Sequence, residues 1–92
     1  MNIVQLSHYL DDLLNIKEIK DSPNAMNGLQ VQNNGDIKKV GLCVDLCMAT
    51  IKKAIFAKCN MMFVHHGILW GGLQPIRGSF YDKIHTMMLE NL

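Results

Sequence analysis

The chain has 92 residues, of which 49% are hydrophobic and 18% charged, and its formal net charge at pH 7 is +1. This length suits one small domain, residues 1–92, and the composition excludes a disordered chain. A nearly neutral chain without a long apolar run predicts neither a nucleic-acid partner nor a membrane partner.

The amino-terminal part alternates between a helical pattern and turns. Residues 3–14 predict an amphipathic helix, and Asn2 is a candidate N-cap. The apolar positions that recur at helical spacing are Ile3, Leu6, Leu10 and Leu13. Residues 20–36 are rich in turn formers, although "LQV" at 29–31 could form a short strand between the turns.

A strand, a short helix and a second strand follow. Residues 38–45 contain an uninterrupted apolar run and predict a buried strand, and residues 48–58 predict a helix with its lysines outward. Residues 60–65, "NMMFVH", predict a strand that is apolar on both faces. Such a βαβ unit places its two strands parallel in one sheet. The predicted fold class is therefore α/β, a layered sheet with a βαβ unit and flanking helices.

A loop and a last helix complete the chain. The loop "GILWGGLQPIRG" is unusually long for a compact domain, which is typical of loops that bind ligands or act as lids. Its glycines offer hinges, and Arg77 could bind an anion or simply lie on the surface. The last helix should run from about 79 to 91 with Ser79 as its cap. Its predicted inward residues are Tyr81, Ile84 and Met88.

The parallel strands predict a site where they end. Ligands collect beyond the carboxyl ends of parallel strands, and here these ends carry Asp45 and the pair His65–His66. Neighbouring histidines at a strand end could diverge, with Gly67 freeing the backbone, and hold two ions ~3.5–4 Å apart. This pattern favours a dinuclear metal site over a single zinc ion.

Structural roles remain open for the same residues. Each histidine of the pair could be a partly buried residue bonded to backbone, and Asp45 is more typical of an N-cap for the next helix. His8 and His85 fit surface or packing positions. Trp70 and Phe80 could line a pocket, although packing in the core is the ordinary role of aromatic residues.

The cysteine content indicates the cellular compartment of the protein. Three cysteines without a C-x-x-C pair, and an amino terminus without a secretion signal, predict reduced thiols and a cytoplasmic location. Cys43 and Cys47 flank the first strand end, where we expect them to be small buried residues.

Three segments, "PNAMNGLQV", "VHHGILWGG" and "PIRGSFYDKIHTMMLENL", together resemble the family of NGG-interacting factor three, dinuclear-metal proteins often labelled GTP cyclohydrolase 1 type 2 homologues. The resemblance implies that His65 and His66 each supply one ligand to one of two divalent ions, with zinc, iron and manganese all admissible. It also implies oligomers, often hexameric rings, and metal-assisted hydrolysis of a nucleotide-like small molecule, with GTP ring opening proposed.

The family pattern extends beyond residue 92. Its members continue with a His-x-Pro-x-Asp segment and then a histidine and a bridging glutamate, and neither Asp45 nor Glu90 matches these ligands. We therefore expect residues 1–92 to be the amino-terminal, truncated portion of a larger α/β domain. Such a chain should bind metal weakly, be inactive alone, and associate with itself or with a missing carboxyl-terminal half. The alternative is a non-catalytic interaction or metal-binding module, or half of a split protein.

Overall fold

The computed structural model describes residues 1–20, 26–69 and 74–92. The elements in chain order are helix α1 (Ile3–Leu14), strand β1 (Val40–Asp45), helix α2 (Met48–Phe56), strand β2 (Met61–His66) and helix α3 (Gly78–Leu89). The order and types of these elements confirm the predicted α/β class. In the described part of the chain no helix is both long enough and apolar enough to cross a membrane.

Helix α1 begins where the sequence predicts. The backbone N–H of Gln5 donates to Asn2 Oδ1 at 2.9 Å, and the N–H of Asn2 donates to Gln5 Oε1 at 3.0 Å. This reciprocal capping box satisfies two of the N–H groups that a helix start leaves without partners. Ile3 is buried, whereas Leu13 is 61% exposed, so the apolar stripe packs at its start and not at its end.

The two strands form a parallel pair, as predicted. Their register runs from Val40 opposite Met61 to Asp45 opposite His66. The "LQV" segment forms no strand, so that suggestion was wrong. Side chains of this segment instead reach the chain that leaves β2.

Among the described residues, strand β1 is covered on one face only, which corrects the prediction of a buried strand. A β-carbon built on Gly41 would lie 3.8 Å from Ala54 Cβ and 3.3 Å from Cys59 Sγ, so the chain through α2 packs closely on that face. The opposite face, which we call the exposed sheet face, consists of Val40, Leu42 and Val44. These side chains are 42%, 75% and 61% exposed. An apolar run predicts burial, but the described residues cover β1 from one side.

Helix α3 begins one residue earlier than predicted and turns a different face inward. Its N-cap is Arg77, so Ser79 lies inside the first turn. Phe80 and Met87 are buried, with Ile84 packed beside them, whereas Tyr81 and Met88 are 45% and 63% exposed. The predicted inward residues and the observed ones both follow helical spacing, and Ile84 belongs to both sets. Tyr81 stacks on His85 instead, with ring centroids 5.3 Å apart.

The core and an asparagine network hold these elements together. The network lies at the start of β2, away from the histidines. Asn60 Oδ1 accepts from the N–H groups of Lys38 and Lys39, and Asn33 donates to the carbonyl of Asn91 at 3.1 Å. The buried core residues that pack together are Ile51, Ala54, Ile68, Phe80, Met87 and Leu92.

Candidate metal centre

The ends of the two parallel strands bring the predicted site residues together. Asp45 and His66 are register partners at the carboxyl ends of β1 and β2. Their side chains are 70% and 48% exposed, so both reach the surface beyond the sheet. The convergence that the topology predicted is therefore present in the fold.

Asp45 contacts His66 and does not cap helix α2. Its Oδ1 lies 2.8 Å from His66 Nδ1. The N-cap of α2 is Cys47, whose N–H donates to Thr50 Oγ1 at 3.0 Å. The cap interpretation of Asp45 was wrong because the chain uses two further residues to pass from strand to helix. The carboxylate instead bonds across the sheet to the neighbouring strand end.

The two imidazoles lie next to each other. The ring centroids of His65 and His66 are 4.5 Å apart, and the ring planes are inclined by 44°. In a regular strand, successive side chains point to opposite faces, which would separate the rings. His65 and His66 both belong to β2, yet their rings occupy one small region. The two imidazoles are therefore neighbours in space as well as in sequence.

Gly67 follows the pair, but it does not act through an unusual backbone conformation. Its φ lies outside the left-handed region that favours glycine. A β-carbon at this position would lie 2.8 Å from Gln30 Cδ and closer still to Gln30 Oε1, so the missing side chain leaves space for Gln30. The expectation that Gly67 frees the backbone thus has no support from a left-handed φ. The role of Gln30 was missed because the signal is a single glutamine within a turn-rich segment.

Other candidate residues take structural or surface positions. Phe80 belongs to the core and is no pocket wall, while His8 and Arg77 are exposed. Trp70, Gly71 and Gly72 lie outside the described residues. Within residues 1–20, 26–69 and 74–92, no group of three or more His, Cys, Asp or Glu side chains is placed to hold a metal ion. Two imidazoles and one hydrogen-bonded carboxylate are thus what this part of the chain brings together.

The cysteines are free thiols of intermediate exposure, so the expectation that Cys43 and Cys47 are buried was wrong. The hydrogen bond from the backbone N–H of Thr50 lowers the pKa of the Cys47 thiol, and the Thr50 hydroxyl lowers it further. Desolvation opposes these effects without cancelling them. Cys47 is therefore the thiol whose ionised form the fold favours.

A groove of about 770 Å³ runs from α1 along the sheet to the histidine pair. Its lining is mostly apolar, and it includes both imidazoles at one end. Leu10, Met61 and Phe63 line its walls. Apolar walls with a few polar groups at one end are the usual composition of a small-molecule site.

Taken together, these features define an α/β protein with a candidate metal centre at the ends of a parallel strand pair. The chain belongs to the DUF34/NIF3 (NGG1p interacting factor 3) family, whose sequence profile matches residues 1–92. This confirms the resemblance that the sequence motifs indicated.

Relatives show the same similarity at the level of single proteins. The chain is 38% identical over 92 residues to a GTP cyclohydrolase 1 type 2 homolog of Archaeoglobus fulgidus. It is 34% identical over 93 residues to a protein of the same name from Treponema pallidum. The alignments cover all of this chain but 37% and 32% of those relatives. The chain thus spans about a third of the length of the curated relatives it matches.

Solved structures share the fold. TTHA1606 from Thermus thermophilus matches with a TM-score of 0.90 and 33% identity, over 100% of this chain and 38% of that one. Reduced HcgD from Methanocaldococcus jannaschii matches with a TM-score of 0.81 and 25% identity, over 99% of this chain and 37% of that one. The chain therefore matches a little over a third of each of these larger structures.

Proposed function

We propose that this chain contributes part of a dinuclear metal site, in which His65 and His66 each supply one ligand to one of two divalent ions. The observation that carries the proposal is the 2.8 Å contact between Asp45 Oδ1 and His66 Nδ1. Histidines that bind metals commonly donate their other ring N–H to a carboxylate, which fixes the tautomer and raises the basicity of the ligating nitrogen. With Nδ1 engaged by Asp45, Nε2 of His66 would be the ligating atom.

The residues present fit this role in their chemistry. Imidazole nitrogen suits zinc, iron and related ions, and the side-by-side rings place two such donors in one region. Asp45 adds a negative charge behind His66 that favours a cation nearby. In a complete site, divalent ions would supply Lewis acidity and lower the pKa of bound water toward ~7.

The proposed reaction is metal-dependent hydrolysis of a nucleotide-like small molecule. The support is indirect: relatives carry the name GTP cyclohydrolase 1 type 2 homolog, and the apolar groove that ends at the imidazoles could receive a ring system. In this reaction His65 and His66 hold the ions, Asp45 orients His66, and the groove wall excludes water from one side of the substrate. The role of this chain is binding and orientation.

Completion of the site requires more of the family fold. Two imidazoles leave most of the charge of two divalent ions uncompensated, so further oxygen ligands are needed. Because the relatives are nearly three times as long, we propose that their remaining portion supplies these ligands. Alone, this chain would bind metal weakly and lack hydrolase activity, and we place it in the cytoplasm.

A titration of the purified chain with zinc and manganese tests the proposal. We expect weak binding that is lost in His65→Ala and His66→Ala. The variant Asp45→Ala should retain both imidazoles yet bind about 10–100-fold more weakly, because the partner of Nδ1 is gone. His85→Ala is the matched control, since His85 stacks on Tyr81 in α3, and it should bind like the natural chain.

Two results would contradict this account. Binding that persists unchanged without both imidazoles would place the metal elsewhere. Tight binding of two ions per chain, lost on His65→Ala, would show that residues 1–92 already supply a full ligand set.

A further inference from the structure

Gln30 connects two segments that are distant in sequence. Its side-chain Oε1 accepts a hydrogen bond at 3.2 Å from the backbone N–H of Leu69, 39 residues further on. Its Nε2 donates at 2.8 Å to the backbone carbonyl of Met26. Each end of the amide is therefore bonded to main chain, so the side chain has a defined orientation between the turn-rich segment and the chain that leaves β2.

The chain that leaves β2 is shaped to receive this side chain. Gly67 directly follows the histidine pair, and a β-carbon there would lie 2.8 Å from Gln30 Cδ and 3.0 Å from its Nε2, with Oε1 closer still. These distances are shorter than ordinary nonbonded contacts of carbon. Since the φ of Gly67 lies outside the left-handed region, what glycine provides at this position is space for the Gln30 amide, which a β-carbon would displace.

We propose that Gln30 is a positioning residue for the histidine pair. Gln30 accepts a hydrogen bond from Leu69 and lies directly against Gly67. These two contacts fix the course of the main chain immediately after His66. Asp45 contacts His66 directly from the strand side. Gln30 acts on the loop side, through the main chain at Gly67 and Leu69. Metal ligands must be kept within about 0.5 Å of the productive geometry, so support from both sides has a direct effect on affinity. The inference rests on the proposed function of the two imidazoles.

A cobalt(II) titration of the full chain, followed by visible absorption, tests this role. Gln30→Met keeps the length of the side chain but loses both hydrogen bonds, and it should weaken cobalt affinity about tenfold and alter the spectrum. Gln30→Glu keeps an acceptor for Leu69 and should retain more of the affinity than Gln30→Met. Gln32→Met is the matched control, because Gln32 is an exposed glutamine two positions away.

A second measurement does not depend on metal. Nitrogen-15 NMR of the neutral imidazoles in the metal-free chain should show His66 with its proton on Nδ1, facing Asp45. In Gln30→Met, the His66 signals should shift toward a mixture of tautomers, while circular dichroism stays that of the folded chain. Gly67→Ala should reproduce this change, since its β-carbon displaces Gln30.

The two measurements separate the possible failures. If the natural chain binds cobalt, and Gln30→Met leaves both the affinity and the His66 signals unchanged, the positioning role is overturned and the proposed function stands. If the natural chain binds no cobalt, the proposed function fails. The NMR signals then decide the role of Gln30 alone: a shift in Gln30→Met supports it, and unchanged signals overturn it.

Discussion

Asp45 shows how a residue's role depends on the neighbouring strand. By sequence, a carboxylate between a strand and a helix is a typical N-cap. In the fold, the parallel register puts Asp45 beside His66, and the short connection gives the cap position to Cys47. Sequence reasoning correctly predicted that Asp45 shares an edge of the sheet with the histidines. It could not predict the contact itself, because the pairing partner lies 21 residues away.

Cys47 gives a prediction at the level of one residue. Hydrogen bonds from Thr50 lower the pKa of the Cys47 thiol, so its thiolate forms at lower pH in the folded chain than in the unfolded chain. In a Cys43→Ser, Cys59→Ser variant, the rate of alkylation by iodoacetamide should therefore reach half its maximum at lower pH in buffer than in urea.

The control for this prediction is Thr50→Val, which removes the hydroxyl but keeps the backbone N–H of residue 50. The midpoint should then rise only part of the way toward the value in urea, because the backbone hydrogen bond is the larger cause. In the variant that still carries Thr50, the pH midpoints of alkylation in buffer and in urea should differ. Equal midpoints would show that the fold does not favour the thiolate.

At the level of elements, the sequence predicts which segments form helices and strands better than it predicts which side chains touch. The N-cap at Asn2, the parallel strands and the three helices all follow from local patterns and from the βαβ rule. The inward face of α3 does not, since Tyr81 and Phe80 both fit the helical period and the packing partners decide between them. The Gln30 bridge was equally inaccessible, because both of its bonds go to main-chain atoms whose positions depend on the fold.

The asparagine network gives a prediction at the same level. Asn60 Oδ1 accepts from the N–H groups of Lys38 and Lys39, and its Nδ2 donates to the carbonyl of Asp36. These bonds fix the approach to β1 against the start of β2. Asn60→Ala should lower the free energy of unfolding by about 1–3 kcal/mol, measured by urea denaturation.

The matched control is Asn34→Ala. Asn34 contributes its backbone N–H and carbonyl to the network, and alanine retains both groups. Its effect should stay within about 0.5 kcal/mol. An Asn60→Ala variant as stable as this control would show that the Asn60 bonds contribute little to stability.

At the level of the whole molecule, the main feature is the exposed sheet face. A parallel sheet is usually covered on both faces, and here Val40, Leu42 and Val44 are left at the surface. The sequence predicted apolar strands correctly, but burial of those strands depends on which elements surround them. The chain spans 37% of the Archaeoglobus fulgidus relative, so much of the family's sequence lies outside it.

This surface predicts that the isolated chain associates with itself. Contiguous apolar surface of this kind favours association. In sedimentation velocity, the natural chain should migrate as larger species than its 10.4 kDa monomer. Leu42→Lys should shift the distribution toward the monomer, because it places a charge in the middle of the exposed sheet face.

Phe56→Lys is the control for this charge change. Phe56 is 91% exposed at the end of α2, so the substitution exchanges an exposed apolar side chain for a lysine away from the exposed sheet face. It should leave the distribution as it is. If both variants, or neither, shift toward the monomer, the exposed sheet face is not the surface that associates.

Anomalous X-ray diffraction from crystals of the chain grown with zinc tests the central claim most directly. We predict zinc peaks ~2.0–2.1 Å from one ring nitrogen of His65 and one of His66, with the other nitrogen of His66 bonded to Asp45. A map in which both rings are well ordered, without zinc beside either and bonded to protein groups alone, would contradict the proposal.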